Sequence, residues 1–466
     1  MMDELSRTIN IQLKVERAYI PKAEYVFRTY CKILGLQPNF FYEYTREDIH
    51  VYYGPPAEER RPVEIYYSDK AAEIFGKESP VNEEIHFINY RNENIPFLFS
   101  ERGQLFQYTD KSLEIKKDII ASAFFFLSCW QEYTMRDGNR NDKQDLNQTL
   151  QKLWNFEHIP VVDRYCDIFQ KGLEKMLPGY QKEKKWYQSK DFAVSITQLL
   201  TQNQSNPVNV AEPSGKRGNK KQKKIEKPAT PIYELIPASR FLKEFARQKK
   251  HGVIPELFFP YDYSLVQVNK DSSQNDPSSL PGLIHSLLED KTIGIFSLQA
   301  LTAEDIKKSA EQYAGEGFIV TGNYLFCFYQ HYQFLFEILE ETDLQYDISI
   351  SYCDSLGYRA GISFPYYPFN IKDNRPFKVL EIPQNINNSV FSQIYHRRRK
   401  IKNQLDYMIS DASIYRNHLG LIWSRYKTPE NKYQKFSQYL KLLKSLQKKN
   451  AWICSPHEIY NHWINR

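Results

Sequence analysis

Side chains whose type and spacing could do chemistry fall at a few places in this chain. The β-rich run Phe192-Ala193-Val194-Ser195-Ile196-Thr197 leads into a polar loop through Gln198, Leu199, Leu200 and Thr201. Neither Leu199 nor Thr201 can ionise, hold a divalent cation strongly or take a proton. His331, in Gln330-His331-Tyr332, is an imidazole able to act as ligand or base. Alone it holds zinc poorly, because catalytic sites need about three protein ligands; Asp262, Asp347 or Asp354 could join it in a non-standard hydrolase. In Gly357–Phe369 the glycines Gly357 and Gly361 allow tight backbone geometry. Arg359 can fork onto a carboxylate or a substrate oxygen, while Phe364, Tyr366, Tyr367 and Phe369 offer flat faces. This segment reads either as a sugar-binding groove or as a loop kept for packing, stiffened by Pro365 and Pro368. The run His396-Arg397-Arg398-Arg399-Lys400 reads as a phosphate or acidic-glycan patch, or as a solvated helix face. His457 and His462 are five apart and do not share a helix face. A GxSxG elbow and a Walker loop are both absent from the sequence.

The chain must supply elements to hold these groups. At 466 residues it is long for one small domain, and two domains are expected. Hydrophobic content of 41% and charge of 25% suit a globular core. The 34 tyrosines raise aromatic content to 15%, which suits recognition surfaces or follows from compositional bias. The net charge of +6 lies largely in two clusters, so nucleic-acid binding is not favoured. Cys31, Cys129, Cys166, Cys327, Cys353 and Cys454 are scattered without a CxxC, which argues against structural zinc and a disulfide scaffold. The first residues lack the apolar core of a secretory signal, and no apolar run of about 18 residues is present. No membrane span and a cytoplasmic location are therefore expected.

Residues 1–180 read as an α+β unit. A helix is expected over Ala18–Leu36, strands at Ile49–Tyr53 and Val63–Tyr67, one long buried helix over Ser112–Tyr133, and a last helix starting at His158–Asp163. Residues 202–231 are polar and Lys-rich and read as a disordered basic insertion or, less simply, a nucleic-acid tail. Beyond them helices and strands alternate. Helices are expected at Ala238–His251, Pro277–Glu289, Ala303–Ala314, Tyr332–Glu341 and Lys435–Lys448. Strands are expected at Val253–Phe259, Thr292–Phe296, Gly317–Thr321, Tyr346–Ser349 and Trp452–Cys454. Such alternation implies a parallel sheet, curled into a barrel, with ligand loops at the strand C-termini.

Several ordered segments together resemble the polysaccharide deacetylase family (carbohydrate esterase family 4, the nodulation-deacetylase homology domain), in a branch with a long N-terminal domain of unknown function. They are Phe124–Tyr133, Pro160–Asp163, Phe192–Thr197, Ile293–Ile295, Gln330–Tyr332, Tyr346-Asp347, Gly357–Phe369 and Leu380–Pro383. The resemblance implies an α/β fold: an irregular (β/α) deacetylase-like barrel over 185–466 preceded by the α+β domain of 1–180. It also implies metal-assisted amide hydrolysis, with an Asp base, a second Asp and His side chains on a divalent metal, an orienting Arg and a late His acid. The acidic positions match Leu199 and Thr201. The metal His matches Phe296, the Arg matches Tyr329 and the acid matches Ser424; among these polar positions His331 is retained.

The expected function is that of a catalytically degenerate deacetylase-like protein with no cofactor and no catalytic residue, binding a glycan or a polysaccharide-processing partner. Arg359, Phe364, Tyr366 and Tyr367 are its substrate-binding candidates. Two alternatives stay open. One is an active deacetylase or hydrolase with zinc or another divalent metal in a non-standard site. The other is nucleic-acid binding through the basic runs.

Overall fold

A computed structural model describes residues 7–42, 48–57, 59–82, 84–100, 103–135, 145–177, 180, 185–187, 190–200, 238–262, 284, 288, 290–297, 301–326, 331–352, 355–387, 399–423 and 436–466. The expected insertion at 202–231 and the Pro277–Glu289 helix lie essentially outside the described residues.

The N-terminal region is α+β. Strands β1 (Thr8–Leu13), β2 (Gln37–Phe41), β3 (Val51–Tyr53), β4 (Val63–Ile65), β7 (Phe106–Tyr108) and β8 (Leu113–Ile115) form one sheet in the order β2-β1-β3-β4-β8-β7, parallel except at β7–β8. A separate hairpin pairs β5 (His86–Tyr90) with β6 (Glu93–Phe97). Helix α1 (Ile20–Leu34) forms as its apolar spacing predicts and ends on Gly35 in the left-handed conformation. The single helix expected over Ser112–Tyr133 is corrected. Leu113 and Ile115 alternate inward on β8, and Asp118 caps α3 (Ile119–Leu127) by accepting from the Ala121 N–H at 2.8 Å. Cys129 then takes φ 45, and α4 (Trp130–Thr134) sets off as a separate helix. Helix α6 (Val161–Met176) completes the region.

The C-terminal part is built on a curled sheet whose strand pairs are all parallel. It contains β9 (Phe192–Leu199), β10 (Glu256–Pro260), β11 (Thr292–Ser297), β12 (Ile319–Leu325), β13 (Tyr346–Asp347), β16 (Leu380–Glu381), β17 (His418–Trp423) and β18 (Ala451–Cys454). The order is β16-β13-β12-β11-β10-β9-β17, with β18 also pairing β9. β9 is buried along its whole length, which is why it reads as a continuous apolar run. The strand expected over Val253–Phe259 begins at Glu256, after the turn at Gly252. The two edges of the sheet meet where the chain after β16 bridges Ile386 to Leu421 of β17. Gly420 allows that approach, since a Cβ there would lie 2.3 Å from the Pro383 carbonyl oxygen.

Around this sheet lie α7 (Ala238–Lys250), α8 (Ala303–Gly315), α9 (Gln333–Leu339), α10 (Arg399–Tyr415), α11 (Phe436–Lys448) and α12 (Pro456–Ile464). α8 and α12 each open with a full capping box, Thr302 with Asp305 and Ser455 with Glu458. The small antiparallel pair β14 (Phe369–Asn370) and β15 (Arg375–Pro376) sits beside α1. One hydrophobic cluster runs through both regions, so the N-terminal region shares its core with the curled sheet.

Candidate functional site

The strand C-termini are where a parallel sheet ordinarily presents ligand groups. Leu199 ends β9 buried, in register with Phe258 of β10. Phe296 of β11 is also buried, opposite Pro260. Gln198, beside Leu199, is pinned by Gln248 Nε2, which donates to its Oε1 at 3.0 Å; Tyr439 in turn donates to Gln248 Oε1 at 2.9 Å. Thr201, Tyr329 and Ser424 lie outside the described residues, as does Asp354. Among the described residues, no three His, Cys, Asp or Glu side chains are grouped to hold a metal.

His331 is buried ahead of α9. Its Nδ1 accepts from the Gln333 N–H at 3.2 Å, and its Nε2 lies 2.8 Å from the Ser128 carbonyl. That pairing fixes a neutral ring protonated on Nε2, which donates to Ser128. Both nitrogens therefore serve to join α9 to the end of α3, and neither has a lone pair aimed at a cavity.

The segment 357–369, which the sequence leaves as either a sugar-binding groove or a packing loop, is largely buried. Arg359 is buried and forks onto Glu132, with Nε 3.1 Å from Oε1 and Nη2 2.6 Å from Oε2. Phe364 is buried against Trp186 and Trp463, and Tyr366 is buried with a backbone bridge to Glu381. These three give their faces to the interior. Tyr367 alone among the four candidates reaches solvent, at 37% exposure. A cavity of about 10 Å³ lies between Phe125, Cys129, Trp130, Glu132 and Arg359. That is room for roughly one water and not for a sugar.

Two polar pairs are better arranged than anything the sequence alone singled out. Asp347 and Glu381 are register partners at the ends of β13 and β16, both fully buried. Asp347 accepts from Asn323 Nδ2 at 2.7 Å, from the Ser349 hydroxyl at 2.8 Å and from the Ser349 N–H at 2.9 Å. Burial, and then the charge of Asp347, push Glu381 far up, and burial raises Asp347 as well. Burial and mutual charge thus disfavour ionising both carboxyls together. The second pair is Ser195 and His418, with Oγ 2.8 Å from Nε2; His418 Nδ1 lies 3.2 Å from the Ser363 carbonyl. This is the relation of a nucleophile to a base. However, both residues are fully buried in neighbouring strands, and burial lowers the imidazole to about 4. The register of β9 with β17 creates this pair, and no local motif announces it.

The remaining candidates are structural or lie at the surface. His457 donates its N–H to Glu256 at 2.9 Å, and His462 contacts the Lys185 carbonyl at 2.9 Å. Cys31, Cys129, Cys166 and Cys454 are buried free thiols. Of the basic run, Arg399 and Lys400 are described, and both are exposed. Among the described residues, no helix is long and apolar enough to cross a membrane.

A family of unknown function, DUF7033, matches residues 11–178. No curated protein matches the chain. Among solved structures, the crystal structure of Puue allantoinase is similar at 14% identity and a TM-score of 0.38, over 61% of this chain and 95% of that one. So distant a likeness carries no argument.

Proposed function

We propose that this chain is a deacetylase-like barrel protein whose hydrolytic centre has been dismantled, and that it works by binding a glycan or a protein that processes one. The observation that carries this reading is the state of His331. Both of its ring nitrogens are engaged, by Ser128 and by the Gln333 N–H, so the retained imidazole has no free lone pair for a metal. Leu199 and Phe296, where the resemblance places an acid and a metal ligand, are buried apolar side chains. Zinc would have to displace apolar contacts and break one of the two hydrogen bonds of the imidazole. The test is elemental analysis of protein purified without chelator. Substoichiometric divalent metal is the expected result, and one zinc per chain would sink the reading.

A second reading, an active hydrolase, draws on Asp347 and Glu381. Two buried carboxyls in register at the strand C-termini, both raised by burial, have acid–base capacity. It requires an opening that brings substrate to two fully buried side chains. Hydrolysis of acetylated oligosaccharides that disappears in Asp347→Asn would favour it over the first reading.

A further inference from the structure

The surface aromatic cluster around Trp154 is assigned no role by the fold. Trp154 follows α5 (Leu150–Leu153) and is 56% exposed; Leu153 is 54% exposed, and Phe87 of β5 is 38% exposed. The rings of Phe87 and Trp154 lie 5.6 Å apart at 48°, and Phe87 rests in turn on buried Phe156 at 6.1 Å. A ladder of rings thus runs from the core to the surface and leaves the indole uncovered. Stabilising the core does not require that last rung, because an exposed ring buries little area. Beside it stands a cation: Lys400 Nζ is 3.3 Å from the Oδ1 of Asn155, the residue after Trp154, and Arg399 is exposed next to it.

We infer that Phe87, Trp154 and Lys400 form a surface site for an acidic saccharide. The apolar C–H face of a pyranose would lie on the indole, and its carboxylate would face the lysine. Asn155 supplies a planar amide for ring hydroxyls. Size decides against a protein partner. Three half-exposed apolar side chains present roughly 300 Å², whereas a stable protein interface covers about 800 Å² on each side. One or two sugar rings fit the smaller figure. Charge favours an acid, because Arg399 and Lys400 stand exposed at this edge and Lys400 is tied to Asn155, the residue after Trp154.

The inference rests on the binding reading above, but it fails separately. Zinc in the purified protein would overturn that reading and leave this site untouched. The full chain is titrated by calorimetry with short oligouronates and with neutral oligosaccharides of equal length, at two salt concentrations. The oligouronate is expected to bind, and the neutral sugar about tenfold more weakly or not at all. Trp154→Ala is expected to lose about tenfold in affinity. Because Trp154 is exposed, its unfolding midpoint should stay near wild type; Phe87→Ala serves as the second variant. Lys400→Gln should weaken binding and flatten its salt dependence. Equal binding of acidic and neutral sugars, no binding of any oligouronate, or unchanged affinity in Trp154→Ala overturns the proposal. So does sedimentation showing that Trp154→Ala splits a dimer without altering sugar affinity, since the patch is then covered by a second copy.

Discussion

His418 shows what burial does to a residue that could have been a base. Its ring is fully buried between Ser195 and the Ser363 carbonyl, and burial lowers it to about 4, against about 6.5 for a free imidazole. The unfolded chain therefore takes up a proton below about 6.5 that the folded chain refuses. Stability from this group is complete above about 6.5 and is lost as pH falls towards 4, by about 3 kcal/mol in all. Asp163 and Glu256 act in the opposite sense, because burial raises them to about 7 and about 8, so their contribution fades as pH rises. The measurement is therefore a difference: urea unfolding of wild type minus His418→Asn between pH 7.5 and 4.5. A gap that closes by about 2–3 kcal/mol on acidification is expected; parallel curves would mean that the ring takes up its proton alike in the folded and unfolded chain. His331 teaches the same lesson. Its residue type was legible in the sequence, but its two hydrogen-bond partners, Ser128 and Gln333, were not.

Individual elements follow local pattern except where the chain must turn inside the core. α1, α6, β9 and β11 form close to where periodicity places them. The run from Ser112 to Tyr133 does not, because its apolar content cannot distinguish a buried strand from a buried helix. Gly361 marks a turn that the sequence does announce. It adopts φ 66, and an added Cβ would lie 2.9 Å from Val161 Cγ2 and 3.0 Å from Phe126 Cβ. Its carbonyl accepts from the Val162 N–H at 2.8 Å, so the turn fastens the 357–369 segment to the start of α6. Gly361→Ala combines left-handed strain with overpacking and should cost about 2–3 kcal/mol. Urea unfolding measures it, and a loss below about 0.5 kcal/mol would show that the seam yields freely there.

The whole molecule is held by the joint between its two regions. Arg359 grips Glu132, Arg164 is clamped between Asp411 and Glu93, and Asp163 receives the Ser363 hydroxyl. Tyr358 donates its N–H to the Glu157 carbonyl at 2.8 Å, and Lys22 reaches Asn374 at 2.7 Å. Apart from Arg164–Glu93, these pairs connect residues 200 or more positions apart, and one hydrophobic cluster surrounds them. A joint of this kind predicts a single unfolding transition for the chain. Arg359→Ala should lower stability by about 3–5 kcal/mol, because it strands the buried Glu132 carboxylate. Arg359→Lys should not restore it, since an ammonium cannot make the fork. Coincident fluorescence and far-ultraviolet dichroism curves check the first point. Two separate transitions would show that the regions fold independently.

Sequence by itself determined the alternation of strands and helices, the absence of ionisable groups at Leu199 and Phe296, and the segments that stand out as motifs. Those are matters of residue type and local period, which a linear chain carries in full. Only the tertiary structure decided what the motifs are for. His331 and Arg359 read as site residues in the sequence because polar side chains sit among apolar ones. Each reaches across the joint, His331 to Ser128 and Arg359 to Glu132, because a buried donor or acceptor must find its partner wherever the fold places one.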